Sequence, residues 1–170
     1  MSAIGSEISG RVWLLGDNVN TDILHPPSCF SLDEKKMRDG IFVGMETIRG
    51  EGKDTLLGHQ LIIVAGENFG CGSSRETSVR ALSSLGVRAI VASSFARIFF
   101  RSLVNRGIAP IECKGIQDKV SEGDTIIISI AEQQVILADN RHIPFAPFDP
   151  HVKKILEAGG LISYLKMEGL

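Results

Sequence analysis

Several features that would each point to a definite class of protein are scarce or missing. Only three cysteines occur in 170 residues, Cys29, Cys71 and Cys113, odd in number and widely spaced. That excludes a disulfide framework, and with no Cys-x-x-Cys pair there is no zinc or dithiol signature. An iron–sulfur cage draws on several thiolates, often close together, so these read as isolated reduced thiols, and no metal or cofactor is assigned to this chain. No apolar run nears the roughly 20 residues needed to cross a bilayer. Met1 to Gly10 has neither the basic start nor the apolar stretch of a secretory signal, so a cytoplasmic location is expected. Charge of one sign is also lacking: a net charge of −2 gives no reason to expect a nucleic-acid or membrane partner. What is present is ordinary, 44% hydrophobic and 22% charged, in a length that suits one domain spanning residues 1–170.

A local absence says more. Between Gly66 and Ala109 there are six arginines (Arg75, Arg80, Arg88, Arg97, Arg101, Arg106), two acids (Glu67, Glu76) and no lysine. Arginine without lysine suits fixed, two-pronged holding of a carboxylate or phosphate. Arg80 and Arg88 fit equally well as solvated helix-face residues.

Along the chain, Arg11 to Leu15 reads as a strand ending at Gly16, followed by a turn-rich stretch from Asp17 to Asp22 and by Pro26-Pro27, which forces an extended path. Phe30 to Glu51 reads as a helix-containing excursion. Leu61 to Ala65 is a buried strand by its unbroken apolar run. Gly66 to Gly72 is a glycine-rich loop, and Arg75 to Leu85 a helix with Val79, Leu82 and Leu85 near one face, stopped by Gly86. Ala89 to Ala92 is a second strand, and Ser93-Ser94 opens a helix closed by Gly107. Ile108 to Glu112 starts a third strand, so parallel pairing is expected. Thr125–Ile130 and Gln134–Leu137 read as a hairpin around Glu132-Gln133. Asp149-Pro150 starts a helix that ends at Gly159-Gly160. The class is α/β with a mixed sheet.

The chemistry sits in Gly66 to Glu76, GENFGCGSSRE, between a buried strand and a helix. Glycines let backbone approach a ligand, and a helix start adds unpaired N–H groups. With the hydroxyls of Ser73 and Ser74 and the guanidinium of Arg75, the segment reads as a cradle for a carboxylate or an oxyanion. A phosphate loop needs GxxxxGK[ST], and no lysine is present. A dinucleotide loop needs GxGxxG, and Gly70-x-Gly72 meets Arg75 at the third position. Ser73-x-x-Glu76 is also a capping-box pattern, so Ser73 as a plain helix cap remains open at this point. No histidine lies nearby in sequence and no GxSxG elbow is present, so nothing marks it as a hydrolase nucleophile.

GENFGCGSSRE, followed by SSFARIFFRSLVNRG (Ser93 to Gly107) and preceded by GDNVNTD (Gly16 to Asp22), resembles the swivelling domain of the aconitase superfamily. It resembles more closely the stand-alone small subunits of the isopropylmalate isomerases (3-isopropylmalate dehydratases) and their relatives, and the likeness runs from Arg11 into the C-terminal LISYLK. The resemblance implies a three-layer β/β/α swivelling domain. It implies that Ser73 removes the substrate proton as a base, stabilised by surrounding N–H donors. Arg75 would hold a substrate carboxylate, Ser74 with the amides near Gly70 and Gly72 would complete the pocket, and Asp22 would be an active-site aspartate. Arg97 and Arg101 are expected as structural support. The family expels hydroxide with a 4Fe–4S cluster acting as Lewis acid. That cluster is expected in a separate large subunit, the partner in a heterodimer or heterotetramer, so this chain alone should be inactive. The implied reaction is dehydration and rehydration of a small di-acid, moving its hydroxyl to the neighbouring carbon.

Substrate choice in such subunits is attributed to a loop shortly after the NTD motif, where relatives acting on long tricarboxylates carry Tyr-Leu-Arg-Thr. Here Cys29, Phe30, Ser31 and Leu32 align with it. With no arginine and with apolar Phe30 and Leu32, an alkyl side chain on the substrate is favoured, as in isopropylmalate. 2,3-Dimethylmalate and homoaconitate stay open, as does a non-catalytic anion-binding module. Simple packing of the loop would also account for these residues. Thr77 departs from the histidine or glutamine that many relatives carry there, with modest consequences expected.

Overall fold

The computed structural model describes residues 5–49, 60–72 and 76–169. In chain order the elements are strand β1 (Glu7–Leu14), helix α1 (Thr21–Leu24), a 3-10 turn (Pro27–Cys29), helix α2 (Glu34–Arg49) and strand β2 (Leu61–Ala65). Then come helix α3 (Glu76–Ser84), strand β3 (Ala89–Ala92), helix α4 (Arg97–Arg106), strand β4 (Ala109–Glu112) and a second 3-10 turn (Ile116–Lys119). Strands β5 (Thr125–Ser129), β6 (Gln134–Ile136) and β7 (His142–Pro144) lead to helices α5 (Pro150–Glu157) and α6 (Leu161–Met167). No described helix is long and apolar enough to cross a membrane.

The strands form one sheet in the order β4-β3-β2-β1-β5-β6-β7. β1 is the seam: it pairs parallel with β2 (Arg11 opposite Leu61) and antiparallel with β5 (Ile8 opposite Ile128). β2, β3 and β4 continue in parallel, as the strand–helix–strand pattern predicts. All five residues of β2 are buried, as a strand covered on both faces requires. Each such Ile, Leu or Val contributes about 1.5–3 kcal/mol by leaving water.

Successive residues divide between two cores, with the period of two that a strand imposes. Trp13, Ile63 and Ile90 face Met37 and Ile41 of α2, Val79 and Leu82 of α3, and Phe99 and Leu103 of α4. Val12, Ile62, Val64 and Val91 face the other way, in a cluster with Ile126, Ile128 and Val135 of the antiparallel strands, Ile116 of the second 3-10 turn and Leu156 of α5. Helices α2, α3 and α4 cover one side, while the antiparallel strands with α5 against them enclose the other, within the α/β class expected.

Several elements differ from the sequence reading. α4 begins at Arg97, four residues after Ser93, because both serine hydroxyls are engaged elsewhere. Ser93 Oγ donates to Gln117 and accepts from the Gly115 N–H, while Ser94 Oγ accepts from the Asn68 N–H. The first strand begins at Glu7, ahead of Arg11, since β5 offers partners from Glu7 onward. Asp22 lies in the first turn of α1 rather than in a turn-rich coil, because the Asn20 side chain caps that helix. The excursion after Phe30 is one helix of 16 residues. β7 and α6 had no distinct signal. Asp149 does cap α5, accepting from the His151 N–H, and Gly107 closes α4 in the left-handed conformation.

Candidate active site

The glycine loop after β2 lies between two other segments and is zipped to both. On one side runs Gly16 to Asp22. Gly66 N donates to Gly16 O, Asn18 N to Glu67 O, Gly70 N to Val19 O and Thr21 N to Cys71 O, at 2.7 to 3.2 Å. Side chains extend the seam: the Glu67 N–H donates to Asp17 Oδ1 at 2.7 Å, Asn68 Nδ2 to Asn18 Oδ1 at 3.0 Å, and Cys71 Sγ to Asn18 O at 3.3 Å. On the other side lies Ser93 to Ala96. Ser93 N donates to Gly66 O, Phe69 N to Ser94 O, and Ala96 N to Phe69 O. Three motifs far apart in sequence therefore meet at the C-terminal ends of parallel strands, where α/β sheets place their ligands.

Two glycines make this fit possible. Gly70 has φ +81°, and a Cβ there would lie 2.3 Å from the Phe99 ring. Gly72 has φ +94°, and its Cβ would fall 2.5 Å from Asn20 Oδ1. Only glycine combines those angles with that approach. Asn20 is a residue that sequence reasoning missed. Its Oδ1 accepts from the Asp22 N–H at 2.8 Å and so sets the first turn of α1 beside Gly72. The readable signal was an Asn one residue before Thr-Asp-Ile-Leu, a helix-cap placement. Asp22 is half-buried at this junction.

Ser73, Ser74 and Arg75 lie outside the described residues, as does the first residue expected of the helix at Arg75. The described chain resumes at Glu76, the first residue of α3.

The Cys29–Leu32 loop follows α1 and forms a hollow against α2. Ser28, Cys29, Phe30 and Ser31 line about 430 Å³ together with Lys36, Asp39 and Val43. Leu32 is outside this lining and 85% exposed. Lys36 and Asp39 are additional polar groups here, brought in by the spacing of α2. Beneath the loop His25 is fully buried, with the Phe30 ring 5.0 Å away. Burial pushes its pKa below the ordinary 6.5, with the Met37 backbone partly opposing this, so the ring is neutral near pH 7.

The thiols do not converge. Cys29 lies in the 3-10 turn and Cys71 in the glycine loop; Cys113 is buried, and burial pushes its pKa up against the pull of Lys119. No three His, Cys, Asp or Glu side chains come together as a metal cage among the described residues. An iron–sulfur cluster therefore finds no ligand set in them. Arg97 and Arg101, expected as structural support, are exposed on α4.

Residues 48–115 match the aconitase C-terminal domain family. The chain is 38% identical over 172 residues to the 3-isopropylmalate dehydratase small subunit of Lachnospira eligens, covering 98% of this chain and 99% of that one. It is 40% identical to the isopropylmalate/citramalate isomerase small subunit of Methanocaldococcus jannaschii, over 95% of each. A crystal structure of 3-isopropylmalate dehydratase from the same archaeon superposes with a TM-score of 0.83 at 35% identity, covering 96% of this chain and 95% of the other. Near-complete coverage on both sides, at this identity, means that the chain belongs to the 3-isopropylmalate dehydratase small-subunit family, with the aconitase C-terminal fold.

Proposed function

We propose that this chain supplies one half of the active site of a hydro-lyase that converts 2-isopropylmalate to 3-isopropylmalate, and that it works in the cytoplasm as one domain. Water is removed and added back, so the hydroxyl moves to the neighbouring carbon. The observation that carries the reading is the convergence of Gly16–Asp22, Gly66–Gly72 and Ser93–Ala96 at one end of the parallel strands. The full-length likeness to named dehydratase small subunits supports it.

Within this reading each residue has a task. The positive φ at Gly70 and Gly72 turns the backbone tightly enough for the chain at Gly72 to approach a substrate carboxylate, while the Gly70 N–H holds the loop to Val19 O. Arg75 clamps that carboxylate through two parallel hydrogen bonds. Ser73 Oγ takes the proton from the substrate carbon and later returns it, while Ser74 donates to a substrate oxygen. Asp22, held by Asn20, stands across the seam and orients the substrate hydroxyl. Departure of that hydroxyl requires a Lewis acid, which in this reading is a 4Fe–4S cluster on a large partner subunit. The Cys29–Ser31 hollow accepts the alkyl group. Citramalate is a second substrate to consider, because the Methanocaldococcus jannaschii relative is named for it as well.

The test is co-expression with the large subunit, anaerobic cluster reconstitution, and assay against isopropylmalate, citramalate, 2,3-dimethylmalate, homoaconitate and citrate. Turnover of an alkylmalate only when both chains are present is the expected result. A Ser73→Ala chain should assemble normally and lose about 10²–10⁴-fold in rate, the usual range for a lost general base. Near-wild-type turnover by that variant returns Ser73 to the role of a helix cap. Turnover by this chain alone overturns the half-site reading.

A further inference from the structure

The arginines of α4 have no ion-pair partner among the described residues. Arg97 and Arg101 stand one turn apart on its exposed side. Neither they nor Arg106 makes a side-chain hydrogen bond or ion pair among the described residues, and Arg106 Nε is buried without a partner. The placement runs against helix electrostatics: Arg97 is the first residue of α4 and no acid stands in the first turn, so a cation occupies the end that favours an anion. It also runs against the chain's own net charge of −2.

Next to these cations Ile98 projects 68% exposed, and Ile162 of α6 is 66% exposed. A hollow borders α4 on each side. One, of about 410 Å³, has Phe95, Phe100 and Val152 on its walls with Arg97 and Arg101. The other, of about 280 Å³, lies over Val79 and Leu161 and carries Arg106. Glu112 and Glu76 touch these hollows but pair with none of the three arginines. The result is a helical ridge with an apolar crest and unpaired arginines along it, the composition of an interface centre. The ridge is continuous with the candidate site, since α4 enters directly from the Ser93–Ala96 segment bound to the glycine loop. A site completed by a second chain must close along a flank of this kind.

We propose that the α4 ridge is the docking surface for the large subunit, with Ile98 entering an apolar recess and Arg97, Arg101 and Arg106 meeting acidic groups around it. This rests on the reading of the chain as a small subunit. Charge on such a rim governs encounter rate and salt dependence, while the buried anchor governs how long the complex lives.

The experiment measures the dissociation constant between this chain and the purified large subunit at several salt concentrations. Wild-type association should weaken steeply as salt rises. R97E/R101E should bind about 100-fold more weakly and lose most of that salt dependence. I98D should bind more weakly with its salt dependence kept. R97Q/R101Q, which adds no new charge, guards against misfolding: it should give an intermediate loss with an unchanged circular dichroism spectrum and melting temperature. At saturating concentrations all of these variants should restore the wild-type kcat, since none of the altered residues belongs to the candidate site. Binding within twofold of wild type by R97E/R101E overturns the proposal. So does self-association of the isolated chain that the same changes abolish, which would assign the ridge to a second copy. Failure of the wild-type chain to bind the large subunit at all is a separate result, and it refutes the small-subunit reading itself.

Discussion

β1, β2 and β3 each end in a segment that carries candidate site residues or ties them together: Gly16–Asp22, Gly66–Gly72 and Ser93–Ala96. β5, β6 and β7 are joined by short connections, and no candidate site residue falls among them. Yet the antiparallel half is no less buried where it matters, with Ile126, Ile128 and Val135 fully enclosed. The difference teaches a division of labour set by strand direction. Parallel strands send all their C-terminal ends to one edge, where the following loops can converge on a ligand. Antiparallel strands alternate their ends, so their loops scatter, and what they offer is an enclosed second core.

Three measurements would break or sharpen that contrast. The largest effect belongs to Gly70→Ala in the parallel half. Its Cβ would meet Phe99 while φ stays positive, so the glycine loop must move; we expect about a 100-fold loss of turnover and a destabilisation of about 2–4 kcal/mol. Activity assays with the large subunit and a thermal melt check it, and unchanged turnover would mean that the loop is not held where catalysis needs it. Next in size is Ile128→Ala in the antiparallel half, which should cost about 2–5 kcal/mol in urea unfolding while leaving kcat per folded molecule intact. A fall in kcat under conditions where the variant is fully folded would erase the distinction between the halves. The smallest effect is that of pH at His25. Its folded pKa is depressed, so the stability it contributes is complete above its ordinary 6.5 and is lost as pH falls from there through the lower folded value. Unfolding measured from pH 8 to pH 5 should slope less for His25→Gln than for wild type, and equal slopes would show that the ring is not buried neutral.

The parallel strands were legible because burial on both faces leaves an unbroken apolar run, as in Leu61–Ala65. The glycine loop Gly66–Gly72 was legible because the positive φ at Gly70 and Gly72 favours glycine. Other parts depended on contacts that a sequence does not display. α2 contains Gly40 and Gly44, which look like helix breakers; a Cβ at Gly44 would sit 2.0 Å from Leu24 O, so the glycine is there to let α1 dock. Ser93 and Ser94 look like a helix start, but their hydroxyls bind neighbouring loops and α4 waits until Arg97. Asn20 carries an ordinary capping signal, and its second role beside Gly72 exists only once the two segments are paired. Leu32, which the resemblance aligned with the substrate loop, points away from the hollow that its neighbours form.

The seam between Gly16–Asp22 and Gly66–Gly72 joins residues 50 positions apart, and its other edge needs Ser94, 26 positions beyond Asn68. Contacts of such sequence separation are slow to form and costly in chain entropy until several exist together. A chain emerging from the ribosome therefore has no complete cradle before Ala96 has been added and β1, β2 and β3 have paired. The three-segment site is thus a property of the folded chain, and a copy ending before Ala96 lacks the segment that closes its second edge.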